Sequence, residues 1–330
     1  MPPERASIEV HPRLHLGLIS MHEGGSRKNG GIGFAIEEPT ATVHLESDST
    51  VSVADARPRP LSQDEIRAIE QAAAILAQAR SFASGARVRI TGAMRTHVGM
   101  GSGTGIKLAV LEGLSLLNGA SISPSELVVA SGRGGTSGIG INTYFHGGAV
   151  LDLGIPMDST GFRPSSSVSA SKRPMALPIA EMPAWPVVLC VPTGIVPKTH
   201  MQEVEFFGRT LPLPAAASFE AAYVALMDIF AALLEKDYAG FCRGIEAIQR
   251  TTWKSLEWRE YGAPLKTVRS KLMDLGVDCV GMSSLGPMLY SLAPLPILQR
   301  VVASSEELQC EVVLTHVTNS GRRILGNKHA

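Results

Sequence analysis

Gly99-Met100-Gly101-Ser102-Gly103-Thr104-Gly105 sets four glycines in seven residues and runs at once into an apolar, helix-forming stretch from Ile106 to Leu117. Backbone this bare can approach an oxyanion closely and aim several N–H groups at it. The helix N-terminus that follows adds unpaired N–H groups and the positive end of its dipole. A second loop, Gly132-Arg133-Gly134-Gly135-Thr136-Ser137-Gly138-Ile139-Gly140, adds a fixed cation and two hydroxyls. Either loop alone is as consistent with a tight turn. Together they point to a ligand with phosphate groups in more than one place. Neither is a Walker loop, because no Gly-Lys-Ser/Thr closes it, and neither fits the Gly-x-Gly-x-x-Gly fingerprint after a first strand.

Composition bounds the rest. A chain of 330 residues suggests two domains or one large α/β unit. Hydrophobic residues are 45% of it, enough for a sizeable core. Thirty basic and thirty acidic residues balance to zero, which argues against a general nucleic-acid surface. The longest apolar stretches, such as Phe219–Leu234, carry Glu220 and Asp228 and read as too short to span a bilayer. Met-Pro-Pro-Glu-Arg at the start lacks a signal peptide's apolar segment, so a cytoplasmic enzyme is expected. Cys190, Cys242, Cys279 and Cys310 show no metal spacing and read as buried free thiols.

Alternation predicts a strand over 7–19, with Arg13, His15 and Gly17 on one face. The polar stretch Met21–Gly31 reads as a loop that could act as a lid. Strands are expected near 32–36, 40–46, 50–53, 88–90, 149–153, 185–191 and 308–315. Helices are expected near 62–82, opened by a Ser62/Glu65 capping box, and near 105–118, 123–131, 218–235, 237–250 and 262–275. Residues 156–184, rich in Pro and Ser, read as a connection between domains spanning 1–170 and 171–330. Gly281–Pro287 is a third glycine/serine loop, with a short helix expected from it to Leu292. The irregular alternation gives an α+β class in two layers.

Four stretches carry a resemblance: Arg13-Leu14-His15-Leu16-Gly17-Leu18, His97-Val98-Gly99-Met100-Gly101-Ser102-Gly103-Thr104, Ser131 through Gly140, and Gly281-Met282-Ser283-Ser284-Leu285-Gly286-Pro287. Their layout is similar to the GHMP kinase superfamily, and their detail resembles the β-ribofuranosylaminobenzene 5′-phosphate synthases. The resemblance implies two α+β domains, a ribosomal-protein-like βαβ unit followed by a ferredoxin-like one, as a homodimer. It also implies ribosyl transfer from phosphoribosyl pyrophosphate (PRPP) to a ring carbon of an aromatic carboxylic acid, with loss of CO2 and pyrophosphate; Mg²⁺ is expected as the cofactor because the charge developing on the leaving diphosphate must be held. The acceptor would be 4-aminobenzoate or 4-hydroxybenzoate in methanopterin biosynthesis, or a carboxylated aminopyrazole in the branch that makes C-nucleoside antibiotics. Two rival readings stay open, an ATP-dependent small-molecule kinase and a catalytically silent PRPP-binding protein. Nucleic-acid and membrane partners are not expected.

Candidate residues follow. Gly99, Gly101, Gly103, Gly132, Gly134 and Gly135 would offer backbone N–H groups. Ser102 and Thr104 would hold phosphate oxygens or Mg²⁺, or simply cap the following helix. Arg133 reads as a phosphate clamp or a surface ion pair, with Thr136 and Ser137 beside it, and Ser283 and Ser284 would complete the anion site. Arg13, His15, His97 and Lys198 are the catalytic candidates. Lys198 lies in Lys198-Thr199-His200, which with Glu203 and Glu205 faces either the acceptor or solvent. Glu112 and Asp152 are the candidate Mg²⁺ carboxylates, Asp152 because a carboxylate within an apolar strand needs a partner.

Overall fold

A computed structural model describes residues 2–159, 161–164, 174–177 and 180–325. The first strand is split into β1 (Arg5–Val10) and β2 (Arg13–Ser20). Pro12 has no N–H to give a ladder, and its carbonyl instead accepts from Ile36 N at 3.0 Å. A register shift between His15 and Gly17 then breaks the expected single-face alternation.

β3 (Arg27–Ala35) absorbs much of the stretch read as a loop. Arg27 and Lys28 pair with Pro156 and Ile155, Gly31 pairs with Asp152, and Asn29, Gly30 and Gly31 are buried. The lid expectation is therefore corrected: residues 27–31 are a buried strand paired on both sides.

The first half continues with β4 (Ala41–Asp48), β5 (Val51–Asp55), α1 (Gln63–Arg80), β6 (Gly85–Gly92), α2 (Ser102–Leu117), α3 (Pro124–Ser131), α4 (Gly138–His146), β7 (Ala149–Asp152) and β8 (Ile155–Pro156). The second half holds β9 (Pro186–Pro192), α5 (His200–Thr210) and α6 (Ala215–Tyr223). A π-helical segment, Val224–Phe230, joins α6 to α7 (Ala231–Leu234). Then come α8 (Tyr238–Ile248), α9 (Thr252–Arg259), α10 (Gly262–Asp274), β10 (Cys279–Met282), β11 (Leu289–Leu292), α11 (Leu295–Ala303), α12 (Ser305–Leu308), β12 (Cys310–His316) and β13 (Arg323–Leu325). Residues 289–292 are thus a strand, not the expected helix.

Three sheets result: β13-β1-β4-β6-β5, β2-β3-β7 and β10-β11-β9-β12. Only the β5–β6 pair is parallel among the described ladders. The class is α+β, as expected. The 170/171 boundary lies outside the described residues. β13 returns from the far end of the chain to pair with β1, and Val317 bridges Ile36.

α2 is the axis of the first half. Ile106, Leu108, Ala109, Val110, Leu111 and Leu114 are all fully buried, packed against β1, β4, α1 and α3. Each large aliphatic side chain buried this way contributes about 1.5–3 kcal/mol, so the glycine loop that opens α2 stands on a rigid base. Ala215–Leu234 is longer than expected, and long and apolar enough to cross a membrane, but half of it is buried in the molecule. Phe230 and Leu233 sit in the core, and the Ser218 hydroxyl accepts from Met21 N at 3.0 Å. All four cysteines are buried and free.

Candidate active site

The first glycine loop is fixed from three directions. Its approach is held by Arg57, which ion-pairs with Asp55 and donates to the Met94 carbonyl at 2.9 Å and the Thr96 hydroxyl at 3.0 Å. Gly99 (φ 102°) and Gly101 (φ 76°) lie in the left-handed region that glycine tolerates. At Gly99 a Cβ would also fall 2.2 Å from the Ser283 carbonyl oxygen. Arg13 crosses the loop from β2: its N–H donates to the Met100 carbonyl at 3.0 Å and its guanidinium to the Gly99 carbonyl. Gly101 is the N-cap of α2 and has no side chain with which to cap the first-turn N–H groups.

The second loop folds against this helix start. Thr104 Oγ1 and Ser137 Oγ are 3.4 Å apart, and Arg133 Nη2 lies 3.2 Å from where a Cβ on Gly103 would be. Arg133 N donates to the Ser131 hydroxyl at 3.1 Å, after the left-handed turn of Gly132 that ends α3. One helical turn further along α2, Lys107 is pushed down to about 8 by burial and by the nearby Arg133 charge. The two glycine loops thus meet, with cations around the N-terminal end of α2.

A ring of charge surrounds that end. His97 Nε2 lies 3.1 Å from Glu65 Oε2. The hydrogen bond to Glu65 raises the His97 pKa against the opposing effect of burial. Burial alone would raise Glu65, but the bonds from His97 and from Ser62 hold it down to about 2. Burial lowers Arg13 to about 10, opposed by Glu203 and Glu257. His15 is driven well below its usual value by burial, then by Arg13 and Lys254, so its imidazole is neutral. Glu203, in the first turn of α5, faces Arg133, His97 and Arg13 from the second half of the chain.

The third loop braces this arrangement. The Ser283 hydroxyl donates to the Gly99 carbonyl at 2.7 Å and accepts from His15 N at 3.0 Å. Ser284 N donates to the His15 carbonyl at 2.9 Å. Lys254, fully buried and ion-paired with Glu257 at 2.7 Å, donates to the Met282 carbonyl at 2.7 Å. Tyr261 donates to the Leu285 carbonyl at 2.7 Å. Ser283, expected as a substrate contact, therefore has its hydroxyl engaged by the protein itself.

Three expected residues stand apart. Lys198 lies 3.6 Å from Glu260 and over the Tyr261 ring, engaged at the rim. Glu112 and Asp152 do not converge. The Glu112 carboxylate is held by Arg322 (2.6 and 3.0 Å) and by the Tyr144 hydroxyl (2.5 Å), toward the C-terminal end of α4. Asp152 abuts Gly138, at the other end of α4, and is raised to about 7 by burial despite Gly154 N and Arg27. Among the described residues no group of three His, Cys, Asp or Glu side chains could hold a metal ion. The two residues expected as Mg²⁺ carboxylates are thus each engaged by protein partners, in separate places.

Sequence reasoning missed Lys107, Lys254 and Glu257. It saw Glu65 only as half of a capping box. Lys254 and Glu257 sit i, i+3 on α9, the one available signal.

No family model matches the chain. Comparison with solved structures returns the same fold over nearly the whole chain. A homoserine kinase from Cytophaga hutchinsonii superposes with a TM-score of 0.67 at 14% identity, covering 98% of both chains. L. major mevalonate kinase gives 0.67 at 16%, covering 95% of this chain and 96% of that one. These are GHMP kinases, and at such identity the likeness shows the fold alone. Curated relatives are nearer in sequence. The Archaeoglobus fulgidus protein named β-ribofuranosylphenol 5′-phosphate synthase is 31% identical over 323 residues, covering 96% of this chain and 98% of the relative. The Methanothermobacter thermautotrophicus protein of the same name is 30% identical, covering 86% and 87%. With the glycine loops, their bracing third loop and this end-to-end similarity all in agreement, the chain belongs to the β-ribofuranosylphenol 5′-phosphate synthase family, built on the GHMP-kinase fold.

Proposed function

We propose that this enzyme transfers the 5-phosphoribosyl group of PRPP to a ring carbon of an aromatic carboxylic acid, releasing CO2 and pyrophosphate. The observation that carries the reading is the open N-terminal end of α2, with Arg133, Lys107, Arg13 and His97 gathered around it. Cations gathered at a helix start favour a polyanion, and PRPP brings a diphosphate and a 5′-phosphate. As the C1–O bond breaks, negative charge builds on the departing diphosphate. Fixed N–H donors and guanidinium groups stabilise it without reorganising. No covalent enzyme nucleophile is needed, because the attacking group is the electron-rich ring carbon that carries the carboxylate.

The relatives' names speak of a phenol, so a ring hydroxyl is the preferred activating group and 4-hydroxybenzoate the preferred acceptor, ahead of 4-aminobenzoate or a carboxylated aminopyrazole. Mg²⁺ would enter with the diphosphate and offset the charge that builds on it; among the described residues no group of three His, Cys, Asp or Glu side chains could hold it. A homodimer also belongs to the proposal. The exposed apolar row Phe219, Tyr223 and Met227 supports it.

The direct test incubates the protein with Mg²⁺, PRPP and 4-hydroxybenzoate, in parallel with ATP and the same acceptor. Pyrophosphate release and a ribosylated product by mass are expected with PRPP, and no phosphorylated product with ATP. Phosphoryl transfer from ATP with PRPP inert would make it a kinase. PRPP binding without turnover of any aromatic acid would make it a binding protein.

A further inference from the structure

Three carboxylates belong to the charged ring, and two are already engaged. Glu65 is bonded to His97 at 3.1 Å and to Ser62 N at 2.9 Å. Glu257 accepts from Trp253 Nε1 at 2.9 Å and pairs with Lys254 at 2.7 Å. The Glu203 carboxylate makes no hydrogen bond and no ion pair with any described residue; its interactions are electrostatic only. It is nevertheless held in place. Thr199 caps α5 in a capping box with Gln202, and Phe206 and Phe207 anchor the helix against Trp253 at ring separations of 5.2 Å. Half-buried, it lies within electrostatic reach of Arg133, His97 and Arg13 of the first half. A fixed, unengaged carboxylate among the cations of a phosphate cradle is free to bond a donor that the acceptor brings.

Resting on the ribosyl transfer proposed above, we infer that Glu203 takes the proton of the acceptor's ring hydroxyl during attack and returns it when CO2 leaves. The step balances. The hydroxyl proton passes to Glu203 as the ring carbon bonds to ribosyl C1, while the C1–O electron pair departs with the diphosphate. The ring is then a dienone. The bond to the carboxylate breaks, its electron pair restores aromaticity, and the ring oxygen recovers the proton from Glu203.

The surroundings suit a group that must hold a proton briefly. Burial raises the Glu203 pKa and Glu257 adds to this, while Arg133, His97 and Arg13 keep the rise in check; Tyr261 also faces it. Glu65, held down to about 2, cannot take that role. Two carboxylates whose surroundings push their proton affinities apart are a recurrent mark of acid–base assignment.

The test compares parent, Glu203→Gln and Glu203→Asp with 4-hydroxybenzoate and with 3,5-difluoro-4-hydroxybenzoate, whose hydroxyl ionises far more readily. PRPP affinity is measured calorimetrically alongside. The inference expects Glu203→Gln to bind PRPP as the parent does and to lose about 100-fold or more in kcat, the usual weight of a general base. Glu203→Asp should recover part of that loss. The gap between parent and Glu203→Gln should narrow by about tenfold with the difluoro acceptor, which needs little help in losing its proton. An unchanged kcat in Glu203→Gln, the same gap for both acceptors, or a variant that no longer binds PRPP would each overturn the assignment while leaving ribosyl transfer intact. A parent enzyme that ribosylates neither acceptor would overturn the assignment together with the proposed function.

Discussion

The Ser283 hydroxyl donates to the Gly99 carbonyl at 2.7 Å and so joins two loops 184 residues apart in sequence. It also accepts from His15 N, so one side chain holds β2, the glycine loop and the third loop in register. Ser283→Ala leaves the buried His15 N–H without an acceptor. A loss of about 1–3 kcal/mol in denaturant stability is expected, the usual cost of an unsatisfied buried donor. A variant as stable as the parent would show that the loops are held by other contacts.

Two glycines of the same loop should respond differently. Gly101 has φ 76°, and its Cβ would lie 3.0 Å from the Arg13 side chain, so Gly101→Val should cost both stability and PRPP binding. Gly103 is in the first helical turn, and its Cβ would meet the flexible end of Arg133 at 3.2 Å and Glu65 Oε1 at an ordinary 3.9 Å. Gly103→Ala should therefore leave stability unchanged or raise it by up to about 1 kcal/mol, yet weaken PRPP binding by intruding on the cradle. Thermal unfolding and calorimetry on the same samples check both halves.

The two glycine loops were legible in the sequence because a close approach of backbone needs bare residues, and glycine spacing records that directly. The strand at 27–31 was not, because Asn29-Gly30-Gly31 has a loop's composition and only the long-range pairing with β2 and β7 makes it a strand. The run Leu289-Tyr290-Ser291-Leu292 is buried at every position, and so short an apolar run has no period to separate strand from helix. α5 was missed because Met201 and Val204 are exposed while Phe206 and Phe207 are buried, which blurs the helical stripe. The bracing by Lys254 and the pairing of Glu65 with His97 depend on contacts across the fold that spacing does not record.

Lys107 reports on the ligand. At about 8 it is only partly protonated in mildly alkaline solution, and a polyanion beside it favours the charged form. PRPP binding near pH 8 should therefore take up protons, and uptake should fade below pH 7, where Lys107 is already charged. Calorimetry in buffers of different ionisation enthalpy measures this. The uptake should vanish in Lys107→Met; uptake that persists there would move its source elsewhere.

His97 and Glu65 set a pH window. The raised His97 value stabilises the fold below its usual 6.5, and the contribution is lost as pH rises through the folded value. The lowered Glu65 value stabilises above its usual 4.5, and the contribution is lost as pH falls toward about 2. Both are present between roughly pH 4.5 and 6.5. The His97 side chain is 40% exposed, so solvent screening keeps the stability effect small and the titration midpoint is the sensitive readout. By NMR, the His97 midpoint should lie above 6.5 in the parent and fall in Glu65→Gln. The same midpoint in both would show that Glu65 does not hold the imidazolium.

The central claim, that the cradle serves carbon–carbon bond formation with loss of the acceptor's carboxyl group, is tested most directly with carboxyl-¹³C-labelled 4-hydroxybenzoate and PRPP. The account predicts one labelled CO2 and one pyrophosphate for each ribosyl transferred, and an unlabelled product whose ribosyl C1 is bonded to the ring carbon. Label retained in the ribosylated product would contradict it, because the new bond would then be to oxygen or to a different ring carbon.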